Sequence, residues 1–268
     1  MLLAGMIIVG LALVAALIGP WLAPFDPSSQ ELALRLAAPT TFHPFGLDEL
    51  GRDILARILA GARISFFVGL VVVGISASFG TAVGAIAGYI GGTVDDAISR
   101  VVDTLLAFPG LLLAIAVVAV LGPSLINVVL ALTLIGWVGY ARLVRGQTLR
   151  AREFEYVQAA RALGAGTGEI LWRHIVPAVL PAVVVQATLG MAGAIVGEAS
   201  LSFLGLGVQP PTPSWGTMLN GGRAHLLDAP HLTVFPGLAI AGLVLGFNAL
   251  GEGLRKLIDP KATAGVNG

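Results

Sequence analysis

The sequence predicts an all-α membrane protein with six transmembrane helices, and two observations lead to this fold class. Of the 268 residues, 56% are hydrophobic and only 11% are charged. Since soluble domains contain about 25% charged residues, this composition cannot provide a water-facing surface. A helix that crosses about 30 Å of hydrocarbon needs about 20 apolar residues. Six stretches approximately meet this requirement: Leu2–Leu22, Ile64–Ile90, Leu105–Leu121, Leu125–Ala141, Val179–Leu206 and Leu232–Leu250.

The segments between these spans predict how the helices are connected. The front of the polar segment 23–63 contains four prolines and is predicted to be a loop. After Gly46 we expect a short amphipathic helix along the outer interface, with Asp53 and Arg57 spaced as an i,i+4 pair. Its apolar face consists of Ile54, Leu55, Ile58 and Leu59. The third and fourth spans are separated only by residues 122–124, which predicts a tight helical hairpin.

The basic residues predict the orientation of the chain. With the amino terminus inside, ten of the 15 basic residues fall on cytoplasmic segments and five on outer segments. Because cytoplasmic loops carry an excess of Lys and Arg, both termini are expected in the cytoplasm. The first stretch lacks a basic leader and a small-residue cleavage site, so it is interpreted as a retained span.

Two spans carry small residues at regular helical spacing. They are Ser76, Gly80, Gly84 and Gly88 in the second span, and Gln186, Gly190, Gly193 and Gly197 in the fifth. Such rows let helix backbones approach closely in lipid, and close packing is therefore the favoured interpretation. A glycine-lined substrate path is the alternative.

The long segment Arg142–Ala178 has the pattern of a folded protrusion. A helical stretch begins at Glu155 and ends at Gly164, a natural residue for a left-handed helix cap. A second helix is expected to start at Thr167 and to continue to Pro177. On physical grounds alone, an ordinary basic loop and a protrusion that enters a groove of another protein remain equal alternatives.

A resemblance favours the second alternative. The pattern Ala159-Ala160-x3-Gly164, followed by Ile175-Val176-Pro177, resembles the coupling-loop motif of binding-protein-dependent ABC importers. Three further segments resemble dipeptide and oligopeptide permeases of the C-subunit type. They are residues 46–65 (Gly-Leu-Asp-x2-Gly-Arg-Asp and following), residues 91–109 up to Phe-Pro, and residues 201–216 (Leu-Ser-Phe-Leu-Gly-Leu-Gly-Val-Gln-Pro-Pro-Thr-Pro-Ser-Trp-Gly).

This resemblance implies the type I ABC importer transmembrane fold in the plasma membrane of a bacterium or archaeon. Residues 1–62 would form the first helix and an extracytoplasmic segment, 63–256 a five-helix core with a coupling loop at 142–178, and 257–268 a cytoplasmic tail. The implied partners are a homologous B-type permease subunit, two cytoplasmic ATPase subunits, an extracytoplasmic solute-binding protein and the lipid bilayer. The residues implied in ATPase coupling are Glu155, Gln158, Ala159, Ala160, Arg161, Leu163 and Gly164. The family usually has glutamate at the position of Gln158, so any ion pair there is lost or moved to Glu155.

The sequence contains no pattern for catalysis, cofactor binding or nucleic-acid binding. A phosphate-binding loop needs Lys followed by Ser or Thr, whereas Lys256 and Lys261 are followed by Leu and Ala. The four histidines are scattered, and neither a His-Glu-x-x-His nor a Gly-x-Ser-x-Gly motif is present. We therefore expect no enzyme activity, metal or cofactor in this chain, with ATP and magnesium bound by partner subunits.

Three polar sets are candidates for further roles. Glu198 lies well within a predicted span and, with Gln186, either lines the translocation path or supports helix packing. Asp96 and Arg100 are spaced to pair, and this acidic region could also contact arginines of the coupling loop. The loop residues Gln209, Pro210, Pro211 and Trp215 either contact the binding protein or form a structural rim.

These expectations lead to a permease subunit of an ATP-driven importer, with dipeptides and oligopeptides as the preferred substrates. Nickel complexes and glutathione are alternatives within the same transporter class. An ion-coupled secondary transporter is disfavoured because only one intramembrane carboxylate and no obvious repeat are present. A membrane-embedded enzyme lacks a paired acid–base or nucleophile set.

Overall fold

The computed structural model describes residues 1–258, and the regular structure of this part of the chain is helical. Most of the predicted tail, residues 259–268 with Lys261, lies outside the described residues. Short 3-10 turns occur at Leu32–Leu34 and Arg223–His225, and a wide turn at Leu171–Ile175 joins α7 to α8. The helices are α1 (Leu2–Leu22), α2 (Ile54–Ile90), α3 (Gly92–Leu106), α4 (Gly110–Leu121), α5 (Leu125–Ala151), α6 (Glu155–Ala162), α7 (Thr167–Ile170), α8 (Val176–Phe203), α9 (Trp215–Gly222) and α10 (His231–Ile258).

Five helical segments are long and apolar enough to span a membrane: α1, α2, α5, the continuous segment Thr167–Phe203 that ends with α8, and α10. A sixth candidate is the bent pair α3–α4. The prediction of a continuous third span at 105–121 is wrong, because α3 and α4 meet at an angle of 85°. Pro109 causes this break: it disfavours the helical conformation of the residue before it and supplies no amide donor. Helix α4 is only 12 residues or about 18 Å long, which is short of the hydrocarbon thickness.

Helix α2 is one continuous helix of 37 residues, so the predicted separate helix along the interface is wrong. Asp53 caps its start, because its Oδ1 accepts a hydrogen bond from the amide of Ala56 at 2.7 Å. Ile54 and Ile58 are buried against α9 and α10 and therefore do not face lipid headgroups. The expected Asp53–Arg57 pair is not formed: the second Asp53 oxygen lies 2.8 Å from Nδ1 of His43.

The row of small residues on α2 packs directly against α5. A methyl group at Gly80 would lie 2.6 Å from Cβ of Tyr140, and one at Gly88 would lie 2.9 Å from Cβ of Thr148. Both distances are too short for real side chains, so only glycine allows this separation of the two helices. The close-packing interpretation is therefore confirmed for α2.

The chain connections define two ends of the helix bundle. The loop end contains residues 23–53 and 204–230. His231, the first residue of α10, contacts this end, because its Nε2 lies 3.4 Å from the carbonyl oxygen of Leu47. The opposite end contains residues 152–170 and both described termini, because Gly253 of α10 packs against Leu2 of α1. We call residues 152–170 the elbow.

Candidate functional site

The elbow is built around a tight helix termination at the end of α6. Gly164 has φ +87°, in the left-handed region that favours glycine, and this confirms the predicted cap. The amide of Ala165 donates to the carbonyl of Ala160, and the amide of Gly164 donates to that of Arg161, both at 3.0 Å. These two bonds form a Schellman motif, which satisfies the last carbonyls of α6 and turns the chain into α7.

Buried contacts attach the elbow to the helix bundle. Val157 and Ile170 are fully buried in the same core cluster as Ile175 at the start of α8. Arg152 donates from Nη1 to the carbonyl of Gly88 at the end of α2, 3.1 Å away. These contacts attach the elbow to both α2 and α8.

Gln158 serves the internal structure of the elbow. Its side-chain amide donates to the carbonyl of Arg152 at 2.9 Å, so it takes no part in an ion pair. Glu155 forms no salt bridge with another residue of the described chain.

The outer surface of the elbow exposes apolar side chains. Leu163, at the tip of the turn, is 89% exposed, and Phe154 and Tyr156 are also exposed. Trp172, which lies just beyond the elbow in the turn before α8, is exposed as well. Sequence reasoning gave these three aromatic residues no role, although aromatic side chains in an otherwise polar segment are a usable signal for a binding surface. A cluster of exposed apolar side chains outside the spans is typical of a protein-binding surface.

Small and charged side chains complete this surface. Ala159 and Ala162 are exposed on α6, which leaves a low profile beside the apolar residues. The guanidinium of Arg161 lies 5.4 Å above the ring of Tyr89, a cation–π distance. Interaction with the Tyr89 side chain raises the pKa of Arg161 above its ordinary value.

An ion pair links α3 to α5 near the elbow. Nη2 of Arg145 donates to Oδ2 of Asp95 at 2.7 Å, and the carboxylate also accepts from Nε. The expected contact between the acidic region and an arginine of segment 142–178 is therefore confirmed. The predicted Asp96–Arg100 pair is not present among residues 1–258, and both residues are exposed on α3.

The bundle contains an open cavity of about 390 Å³ between α2, α4, α5 and α8. Gln186 lines it, together with the glycine row of α8 (Gly190, Gly193, Gly197). A methyl group at Gly193 would have no neighbour within 4 Å, so this glycine faces open space. The row on α8 therefore borders a cavity at Gly193, whereas Gly190 packs closely against the Tyr140 hydroxyl and Gly197 against the Leu132 side chain. Ser76 and Tyr140 also contribute polar groups to the cavity; sequence reasoning gave neither side chain a role in a path.

Glu198 lies on another side of α8 and does not line this cavity. Its side chain is completely buried, and Oε1 accepts a hydrogen bond from Oγ of Ser202 at 2.7 Å. Helix α9 covers this region, since Gly216 packs against Ala199 and Ser202. The contacts are those of a residue that supports the packing of α8 on α9.

The loop end separates the four residues considered for contact with a binding protein. Gln209, Pro210 and Pro211 are exposed, but Trp215 is only 3% exposed. Its indole Nε1 donates to the carbonyl of Ile58 at 3.0 Å inside the core. The Trp215 side chain therefore presents no surface to a separate protein, because α2 and α9 enclose it.

A network of charged residues organises the loop end, which sequence reasoning had not predicted as a unit. Oδ2 of Asp48 lies 2.7 Å from Nε of Arg52 and 3.5 Å from Nε of Arg57. Arg57 also donates to the carbonyl of Pro27, which attaches the proline-containing loop to α2. Within residues 1–258, no group of three or more potential ligands is arranged to bind a metal ion.

Comparison with known proteins gives consistent similarities over nearly the whole chain. Residues 80–264 match the binding-protein-dependent transport system inner membrane component, and residues 1–39 match the N-terminal transmembrane domain of oligopeptide transport permease C. The chain is 47% identical over 252 residues to the glutathione transport system permease protein GsiD of Escherichia coli O6:K15:H31 (strain 536 / UPEC), covering 94% of this chain and 83% of that protein.

Two further relatives are named as permease proteins of dipeptide transport systems. Identity is 45% over 257 residues with the dipeptide transport system permease protein DppC of Alkalihalophilus pseudofirmus, covering 96% of this chain and 84% of the relative. It is 43% over 256 residues with the probable D,D-dipeptide transport system permease protein DdpC of Escherichia coli (strain K12), covering 96% and 86%. All three similarities include the elbow, the cavity and the loop end.

Proposed function

The chain belongs to the inner membrane components of binding-protein-dependent transport systems, and from this premise we propose that it forms half of the translocation path of an ATP-driven importer for short peptides. The observation that carries the mechanistic part is the elbow, a folded protrusion with an apolar outer surface and a buried attachment to α2 and α8. We infer that this surface enters a groove of a cytoplasmic ATPase subunit.

The proposed mechanism is alternating access. ATP and magnesium bind to two separate ATPase subunits, and closure of these subunits displaces the elbow. The buried contacts of Val157 and Ile170 pass this movement to α8, which borders the cavity. A homologous B-type permease subunit supplies the other half of the path. A solute-binding protein delivers its ligand at the loop end, where Gln209, Pro210 and Pro211 are exposed.

This mechanism requires both termini and the elbow in the cytoplasm of a bacterial or archaeal cell, with the loop end outside. The excess of basic residues on the elbow side supports this orientation. The relatives named for dipeptides and D,D-dipeptides support short peptides as substrates. Glutathione is the second candidate because of the 47% identical relative. Ion-coupled transport is disfavoured, since none of the described charged side chains lines the cavity.

The test is uptake into sealed vesicles that contain the complete importer with its binding protein. Uptake of a radiolabelled dipeptide is expected to follow ATP hydrolysis and to continue when ionophores dissipate proton and sodium gradients. A matched preparation without this chain should show no ATP-dependent uptake. Uptake that stops with the ionophore and ignores ATP would contradict the proposal.

A further inference from the structure

The cavity between α2, α4, α5 and α8 carries an inference about substrate chemistry, which rests on the proposed function. We propose that it is a subsite for the neutral amide groups of a peptide, held by Ser76, Tyr140 and Gln186, and that it does not select for the charge of the peptide side chains.

Ser76 supplies the first observation. Its side chain is 1% exposed and lines the cavity, and its hydroxyl has no hydrogen-bond partner among the described residues. A buried hydroxyl normally finds a partner, because leaving it unpaired is unfavourable. The hydroxyl now packs against Gly136 of α5, and rotation about the Ser76 Cα–Cβ bond would let a polar group of a ligand in the cavity become that partner.

Gln186 and Tyr140 supply complementary groups from two other helices. A glutamine side chain offers both a donor and an acceptor, which matches the C=O and N–H groups of a peptide bond. The Tyr140 hydroxyl is 3.5 Å from the carbonyl of Gln186, at the long limit of a hydrogen bond, and so remains able to bind a ligand. Three uncharged polar groups thus converge on a lining whose other residues are apolar or glycine, apart from Ser200, whose hydroxyl already donates to the carbonyl of Val196.

No charged residue among residues 1–258 lines the cavity, and this determines that it suits uncharged groups of a ligand. A peptide terminus or charged side chain would find no ionic partner here, since Glu198 is on the side of α8 that faces α9. The volume of 390 Å³ falls within the roughly 300–1,000 Å³ of small-molecule sites. The amide is the group that every peptide substrate shares, glutathione included.

Neutral contacts also suit transport. A path must bind its solute well enough to admit it and weakly enough to release it. A strong ionic site would retain peptides of one charge and reject those of the other. Hydrogen bonds to the shared amide avoid this, so peptides of different sequence pass at similar rates.

The first test compares two serines in proteoliposomes that contain the complete importer. Ser76→Ala is expected to lower the uptake rate of alanyl-alanine by about three- to tenfold, the effect of one neutral hydrogen bond. Ser65→Ala is the matched control, because Ser65 is a buried, unpartnered α2 serine that does not line the cavity. Equal uptake by the two variants would overturn the assignment of Ser76.

The second test examines charge, with the binding protein saturated. Wild-type importer is expected to take up alanyl-lysine and alanyl-glutamate at rates that agree within about twofold, whereas Gln186→Glu should favour the lysine peptide at least fivefold. Glutathione uptake measured in parallel identifies which of the two proposed substrates, dipeptides or glutathione, the importer transports. Strong charge selection by the wild type, or none in Gln186→Glu, would overturn the inference. If the wild type takes up no peptide with ATP, the proposed function itself fails.

Discussion

Gly164→Val tests the elbow most directly, because this glycine has a left-handed conformation without any steric crowding. Its φ is +87°, and a side chain there would meet no atom within 4 Å. The cost of the substitution is therefore conformational: about 1–3 kcal/mol for a non-glycine residue in this region. The Schellman bonds of Ala165 and Gly164 must then weaken or break.

This conformational cost is expected to weaken the docking of the ATPase subunits on the elbow. If the correct elbow conformation is destabilised by about 1–3 kcal/mol, docking weakens by roughly 5- to 150-fold. We expect the ATPase subunits to co-purify poorly with the variant and peptide-stimulated ATP hydrolysis in proteoliposomes to fall accordingly. Membrane insertion should remain normal, since the elbow lies outside the spans.

Two companion variants separate conformation from side-chain bulk. Gly168→Val places the same side chain in open space on α7, where the helical backbone accepts it, and coupling should stay near the wild-type level. Gly164→Asn should retain much of the coupling, because asparagine tolerates the left-handed conformation. Wild-type coupling in Gly164→Val, with normal amounts in the membrane, would refute the reasoning.

Three further predictions concern packing and charge. Gly80→Ala should lower the free energy of unfolding in detergent by about 1–3 kcal/mol, because the new methyl group collides with α5; Gly74→Ala, which meets no atom within 4 Å, should not. Asp95→Asn should reduce thermal stability through loss of the ion pair to α5, and the exposed Asp96→Asn should be neutral; equal melting temperatures would argue against a structural role for the pair. Glu198→Gln should leave the uptake ratio of lysine- to glutamate-containing dipeptides unchanged, and a shift in that ratio would show that Glu198 reaches the substrate.

Local sequence patterns were sufficient to predict features that depend on a single residue or on the composition of a short segment. The apolar runs located the spans, because a bilayer demands about 20 such residues in succession. Gly164 was predictable as a helix cap, since glycine enters the left-handed region at little cost. Gly80, Gly84 and Gly88 were interpretable as packing residues from their spacing alone.

Long-range contacts account for the predictions that failed. Burial of Ile54 and Ile58 against α9 and α10 extended α2 into a segment that resembled a separate amphipathic helix. The bend at Pro109 is the exception, because this proline itself divides the predicted span. Asp96 and Arg100 do not form the expected local pair within the described residues, and the ion pair of α3 is made instead by Asp95 with Arg145, 50 residues away. Trp215 is enclosed by its own chain because Ile58, 157 residues earlier, accepts its indole hydrogen bond.

The amino-acid sequence alone determined that this is a helical membrane protein with a glycine-terminated protrusion, because hydrophobic length and backbone conformational freedom are properties of short segments. Only the tertiary structure decided that Gln186 borders the cavity while Glu198 is buried beneath α9, and that the α2 glycine row packs against α5 while Gly193 of α8 faces open space. The reason is geometric: neighbouring residues on a helix point about 100° apart, and what each side chain meets depends on helices that are distant in the chain.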